Sequence, residues 1–229
     1  MTRQDSVACA TGAPVVSARD RILNAAFAVL CERGYAATST REIAARARVS
    51  KRELYSEFGS KDGIFGALIA ARAARMRQPL ALAAVADRAG LTATLRGFGR
   101  AFLGELCDPG VVSMFRLAAS AAEQSHDMAR VLEVNAYVPN RQALIELMTQ
   151  ARAAGLVTGD PLRMTRQFAA LLTGEVHLPL LLGLVDTPSP AEIAAYADAA
   201  TEAFLQLHGR PEPRIARAGA GRARPKRRA

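Results

Sequence analysis

Apolar residues recur at helical spacing from residue 17 onward. Ile22, Leu23, Ala26, Phe27 and Leu30 fall on one face, and Gly34 stands where a glycine would end the helix. Ser39-Thr40-Arg41-Glu42 then has the spacing of a capping box, in which a hydroxyl and a carboxylate satisfy the orphan amide donors of a new helix. Eleven residues later Ser50-Lys51-Arg52-Glu53 repeats it. Two boxes so close leave room for about two turns of helix and a tight turn at Ala47 to Val49. Ile43, Ala44, Ala47, Val49, Leu54 and Phe58 then form one inner face across both helices. The pattern predicts a helix-turn-helix over Thr40 to Phe58.

Ser60 can cap the next helix, which runs through Ile64, Phe65, Leu68 and Ile69 toward Pro79. Helical segments are expected near 91–106, 111–123, 126–135 and 138–154, separated by breakers such as Asp108-Pro109-Gly110. Asp160-Pro161 and Ser189-Pro190-Ala191-Glu192 place a cap before a proline at the first helical position, and predict helices over 161–183 and 190–208. Ala, Leu and Arg dominate, and β-branched runs of strand length are hard to find. The expected fold class is all-α. Its parts are a loose arm (1–16), a helix-turn-helix domain (17–62), a helical body (63–208) and a disordered basic tail (209–229).

Charge refines this division. The net +9 is uneven: residues 1–61 hold ten Lys/Arg against six Asp/Glu, residues 62–209 twelve against fourteen, and residues 210–229 eight against one. Basicity therefore sits at the two ends, which points to a polyanionic partner there. Cys9, Cys31 and Cys107 are odd in number and fit no metal or redox spacing, the usage of a reducing compartment. The N-terminus lacks an apolar signal region, and the most apolar stretch, Phe168 to Val185, is broken by Glu175, His177 and Pro179. A cytoplasmic protein without a membrane span is expected.

A helix-turn-helix presents the start of its second helix to base edges in the major groove. With Leu54 and Phe58 inward, Lys51, Arg52 and Tyr55 face outward, and Arg52 is the first choice for base readout because Arg pairs bidentately with guanine. Thr40 and Arg41 are placed to meet phosphates or the groove wall, Ser50 starts the reading helix, and Lys61 stands at another anion-friendly helix start. Glu53 has two readings, acceptor for a cytosine amino group or cap of its own helix.

Residues 19–69 carry an ordered series: Arg19-Asp20-Arg21-Ile22-Leu23-Asn24-Ala25-Ala26, Gly34-Tyr35, Thr38-Ser39, Ile43-Ala44, Val49-Ser50-Lys51, Leu54-Tyr55, Phe58 and Ser60-Lys61. This series closely resembles the N-terminal domain of the TetR/AcrR family. The resemblance implies a three-helix DNA-binding head and a larger helical body for ligand binding and dimerisation. It also implies repression relieved by a small molecule, with contact roles on Thr40, Arg41, Lys51, Arg52, Tyr55 and Lys61. Two positions depart from the family pattern. Arg48 stands where its turn usually has glycine, and a non-glycine residue at positive φ would cost about 1 kcal/mol or more, so either the turn tolerates this or Arg48 supplies an extra phosphate contact. Glu57 stands where histidine is frequent.

Segment 111–185 is similar to one TetR subgroup, particularly at Met114-Phe115-Arg116-Leu117 and Ala153-Ala154-Gly155-Leu156. The family's use of its last two long helices for dimerisation assigns that face here to Leu171, Leu172, Val176, Leu180, Leu184, Ala194, Ala197 and Phe204, which could equally pack within one subunit. A ligand cavity is expected among residues 91–183, with Phe98, Phe102, Met114, Phe115, His126, Asn135, Tyr137, Glu175 and His177 as candidates for an apolar wall with a few polar handles. No catalytic constellation, metal site or phosphate loop is visible, so no enzyme activity and no cofactor are expected. The leading expectation is a homodimeric regulator that binds a palindromic operator in double-stranded DNA and answers a small-molecule effector. The alternative is an architectural or nonspecific DNA-binding protein using the head and the terminal run Arg222, Arg224, Lys226, Arg227 and Arg228.

Overall fold

A computed structural model of the chain describes residues 17–81, 85–120 and 126–210. The arm, the segments 82–84 and 121–125, and the tail beyond Arg210 with its five terminal cations lie outside the described residues. Among the described residues eleven α-helices follow in order: α1 (Ala18–Ala37), α2 (Thr40–Ala47), α3 (Lys51–Phe58), α4 (Lys61–Ala81), α5 (Arg88–Leu106), α6 (Pro109–Ser120), α7 (Asp127–Leu132), α8 (Val138–Ala153), α9 (Pro161–Thr173), α10 (His177–Leu182) and α11 (Pro190–His208). Among the described residues there is no strand, only a single bridge between Val157 and Gly209. The fold is all-α.

Most starts follow the caps legible in the sequence. Ser50 and Ser189 form complete capping boxes with Glu53 and Glu192, and Asp160 accepts from the Arg163 amide ahead of Pro161. Gly34, at φ 74°, bends α1 rather than ending it, and a last turn runs on to Ala37.

Two elements differ from expectation. The helix predicted over 161–183 breaks after Thr173 and restarts at His177. Pro179 explains the break: in a continuous helix its ring would meet the carbonyl of Glu175, four residues back, whereas in the first turn of α10 its missing amide is no loss. The segments expected at 126–135 and 138–154 are instead joined by a π-helical turn, Glu133–Tyr137, in which the Val138 amide donates to the Glu133 carbonyl. This wider turn absorbs Pro139, which follows at once.

Two apolar cores result. One gathers Ile22, Ala26, Leu30, Ile43, Leu54, Ile64 and Phe65, and reaches up to Val111, Met114 and Met128. The other lies between α5, α8, α9 and α11 around Phe98, Phe168 and Phe204. Helix α4 belongs to both regions: its first half closes the head, and its second half packs on α5 and α8. The joint between α1 and α6 is tight. A Cβ on Gly110 would lie 2.6 Å from the Phe27 ring, and the Cys31 thiol donates to the Gly110 carbonyl at 3.2 Å. Burial, reinforced by Asp108, pushes that thiol up to about 11.

Candidate DNA interface and body cavity

The turn between α2 and α3 is set by hydrogen bonds and one unusual backbone angle. Arg48 is left-handed, at φ 53° and ψ 48°. Its amide donates to the Ala45 carbonyl at 3.3 Å and that of Val49 to Ala44 at 3.1 Å, the paired bonds that close a helix with a left-handed residue. Ile43, Ala44, Ala47 and Leu54 are buried beneath, so α3 is held at a fixed angle to α2. At the start of α3 the Ser50 hydroxyl accepts from the Glu53 amide, while the Glu53 carboxylate accepts from the Ser50 amide at 2.7 Å. Hydrogen bonding from the Ser50 backbone amide, and after it from the Ser50 side chain, holds the Glu53 carboxyl below its ordinary range, and its geometry is that of a cap.

The outward face brings the sequence candidates together. The Thr40 and Tyr55 hydroxyls lie 3.0 Å apart, which joins the first turn of α2 to the middle of α3. Arg41, Arg48, Ser50, Lys51 and Arg52 are all exposed around this pair. The neighbouring arginines of the head are occupied. Arg46 grips Glu32 with two bonds of 2.6 and 2.7 Å and reaches Glu42 at 3.0 Å, Arg33 pairs with Glu42, Arg19 pairs with Glu57, and Arg21 donates to the Ala47 carbonyl. Arg41, Arg48, Lys51 and Arg52 make no hydrogen bond or ion pair among the described residues. Lys51 and Arg52 also occupy the first turn of α3, where the helix dipole disfavours cations. Local stability does not account for that placement, whereas a polyanion docked there would.

Lys61 stands apart from this set. Its ammonium donates to the carbonyls of Tyr35 and Ala36 at 2.6 and 3.4 Å and lies 4.6 Å from the centre of the Tyr35 ring. Burial lowers its pKa. The structure gives it the task of sealing the end of α1, and Tyr35 completes that seal by donating to Asp62.

Above the head a cavity of about 390 Å³ opens between α4, α5, α6, α8 and α9. Phe98, Phe102, Met114, Phe115, Tyr137 and His177 line it as expected from the sequence. His126, Asn135 and Glu175 do not. His126 and Glu175 are exposed at the edges of helices, and the Asn135 amide turns back to the Val131 carbonyl of its own helix. The wall also takes residues that the sequence did not single out: Leu68, Arg72 and Met76 from α4, Asn140 from α8 and Thr165 from α9. A period of 3.6 says which residues share a face, but the void that a face borders depends on how helices cross, so only the aromatic members and Met114 carried a signal. Arg72 pairs with Glu105 at 2.8 Å and Asp108 at 3.4 Å and lies 4.2 Å from the centre of the Phe27 ring of α1.

The face assigned to dimerisation divides in two. Leu172, Val176, Leu180, Ala197 and Phe204 are buried within the chain, because α9 and α11 pack on α5. Leu171 and Leu184 are exposed, joined by Leu178, Leu182 and Val185 in and around α10. Among the described residues no helix is long and apolar enough to cross a membrane.

Residues 22–68 match the profile of the bacterial regulatory proteins of the tetR family, and residues 93–210 match that of the AefR-like transcriptional repressor C-terminal domain. Over 49 residues the chain is 45% identical to the uncharacterised HTH-type transcriptional regulator YvkB of Bacillus subtilis, a match covering 21% of this chain and only 26% of that relative. Solved structures extend the likeness. The flavonoid-responsive regulator FrrA is 30% identical with a TM-score of 0.62, over 84% of this chain and 97% of its own. A TetR regulator from Agrobacterium tumefaciens is 27% identical with a TM-score of 0.66, over 84% and 95%. A regulator from Mesorhizobium loti shares the fold at a TM-score of 0.67 and 24% identity, over 84% and 96%. With its capped helix-turn-helix and both domains matched, the chain belongs to the TetR family of transcriptional regulators.

Proposed function

We propose that this regulator is a homodimeric repressor that binds a two-fold operator through Thr40, Arg41, Arg48, Ser50, Lys51, Arg52 and Tyr55, and leaves it when a small molecule fills the body cavity. One observation carries the reading: residues of the head's own core form part of the cavity wall. Leu68, Ile69, Val111 and Met114 belong to both, and Phe27 of α1 lines the cavity too. A guest therefore presses on α1 and α4, the helices that orient α2 and α3. Arg72 ties the same place together, with its charge on α5 and its face on Phe27. FrrA's name states a response to flavonoids, which supports small-molecule control. The exposed leucines near α10 supply an apolar face for a second copy. In such a dimer the two reading helices stand about 34 to 36 Å apart, one turn of DNA, or a multiple of that.

The test begins with DNA fragments retained by the purified full chain, sequenced to define the operator and then titrated by fluorescence anisotropy. Preference for one site by about a thousandfold or more over unrelated DNA supports a specific regulator. Equal affinity for all fragments would reject it in favour of nonspecific binding. A compound that occupies the cavity and leaves operator affinity unchanged would remove the coupling, since allostery is a coupling free energy between two sites.

A further inference from the structure

A threonine inside a helix commonly spends its hydroxyl on the carbonyl four residues back. Thr92, Thr94, Thr149, Thr173 and Thr201 all do so here, at 2.7 to 2.9 Å. Thr165 does not. Its hydroxyl has no partner although the residue is 3% exposed, and it lines the body cavity. A second unpartnered atom in the same wall is Nδ1 of His177, on a ring that Phe115 meets edge-on at 5.5 Å. Burial lowers the pKa of that imidazole, which keeps it neutral.

The other polar groups of the wall are taken or lie at its rim. Asn140 accepts from Arg77 at 2.9 Å and donates to the Met76 sulfur, Thr173 donates to Ala169, and Arg72 is balanced by Glu105 and Asp108. Arg141 lies over the exposed ring of Tyr137, and Arg166 is itself exposed. No Asp or Glu lines the cavity among the described residues. Thr165 and Thr173 are two turns apart on α9, about 12 Å at 1.5 Å per residue, and His177 opens the next helix beyond. The two unpartnered atoms are thus contributed to the apolar wall by two successive helices, α9 and α10.

Resting on the reading of the cavity as the effector site, we infer that the effector is an uncharged, largely apolar molecule with two separate hydrogen-bonding groups, one for the Thr165 hydroxyl and one for Nδ1 of His177. A cationic ligand would find no carboxylate in the wall. A carboxylate seated between the hydroxyl and the imidazole would meet Arg72 only as a cation already balanced by Glu105 and Asp108, with Arg141 set over the Tyr137 ring and Arg166 exposed.

Calorimetric titration of the full chain with trans-4,4′-dihydroxystilbene, trans-4-hydroxystilbene and trans-stilbene-4,4′-dicarboxylate tests this. The diphenol is expected to bind about tenfold tighter than the monophenol, the worth of one buried hydrogen bond, and the dicarboxylate weakest. Thr165→Val, which keeps the shape and removes the hydroxyl, should bring the two phenols within about twofold of each other. It should also raise the melting temperature of the unliganded protein, because an unmet buried polar atom is gone. A fall in that temperature, a tenfold preference that survives the substitution, strongest binding by the dicarboxylate, or no binding by any stilbene overturns the inference. None of these touches the regulatory reading, which fails separately if no cavity-filling compound releases DNA.

Discussion

In the head, helices α1 to α3 bury small, matched apolar residues, among them Ile22, Ala26, Ile43, Ala44, Ala47 and Leu54, and no buried polar side-chain atom there lacks a partner among the described residues. In the body, the larger phenylalanines border a void of about 390 Å³, and the unpartnered buried atoms among the described residues all belong to this part: Thr165 Oγ1 and His177 Nδ1 in the wall of the void, Arg96 Nε away from it, and the facing Arg72 Nε and Glu105 Oε2, an ion pair out of hydrogen-bond alignment. The difference separates two tasks. A surface that must present side chains at fixed positions gains from complete satisfaction, while unfilled volume and unmet polar atoms come at the expense of stability, the arrangement expected if the proposed guest enters there.

Substitutions can break this contrast, and the largest effect is expected where the regions meet. Phe65 of α4 is fully buried, its ring centre 5.1 Å from that of Tyr35. Phe65→Ala should cost about 3 to 5 kcal/mol in urea unfolding and abolish operator binding with it. If binding survives at full strength, the head does not depend on α4. Next in size, Arg52→Ala should lose about 1 to 3 kcal/mol of operator affinity and relax preference at one base pair, with the melting temperature unchanged. A uniform loss across all sequences would reassign Arg52 to phosphate contact. In the body, Ala169→Leu places three carbons in the cavity, worth up to about 1 kcal/mol of added stability. Anisotropy should show normal DNA binding that no longer responds to effector.

The smallest effect belongs to Arg48. Arg48→Gly relieves a left-handed residue, a gain of about 0.5 to 1 kcal/mol once the extra freedom of glycine in the unfolded chain is subtracted. If operator affinity falls together with its salt dependence, the side chain holds a phosphate; if affinity is unchanged, Arg48 serves the turn alone.

The legible parts of this molecule are those fixed by neighbours in sequence. Both complete capping boxes, the two N1 prolines and the left-handed Arg48 depend on residues within a few positions of one another, and each is where the pattern placed it. The box expected at Ser39 is only half made: the serine accepts from the Glu42 amide, but the Glu42 carboxylate turns to Arg46 one turn on and to Arg33 of α1. The carbonyl partners of Lys61 are illegible in the sequence because they lie 25 and 26 residues back. The cavity wall was half visible, because aromatic side chains advertise burial, whereas a threonine whose hydroxyl is left unmet looks like any other threonine until α8 is packed across it.

Where α1 meets α6, the missing side chain of Gly110 lets Phe27 and Cys31 approach as no other residue would permit. The thiol in that seam is protonated at neutral pH and therefore a slow nucleophile. Its alkylation by iodoacetamide, followed at Cys31 by peptide mapping, is expected to quicken when the joint opens, so the rates with and without effector compare the seam in the two states on the native chain.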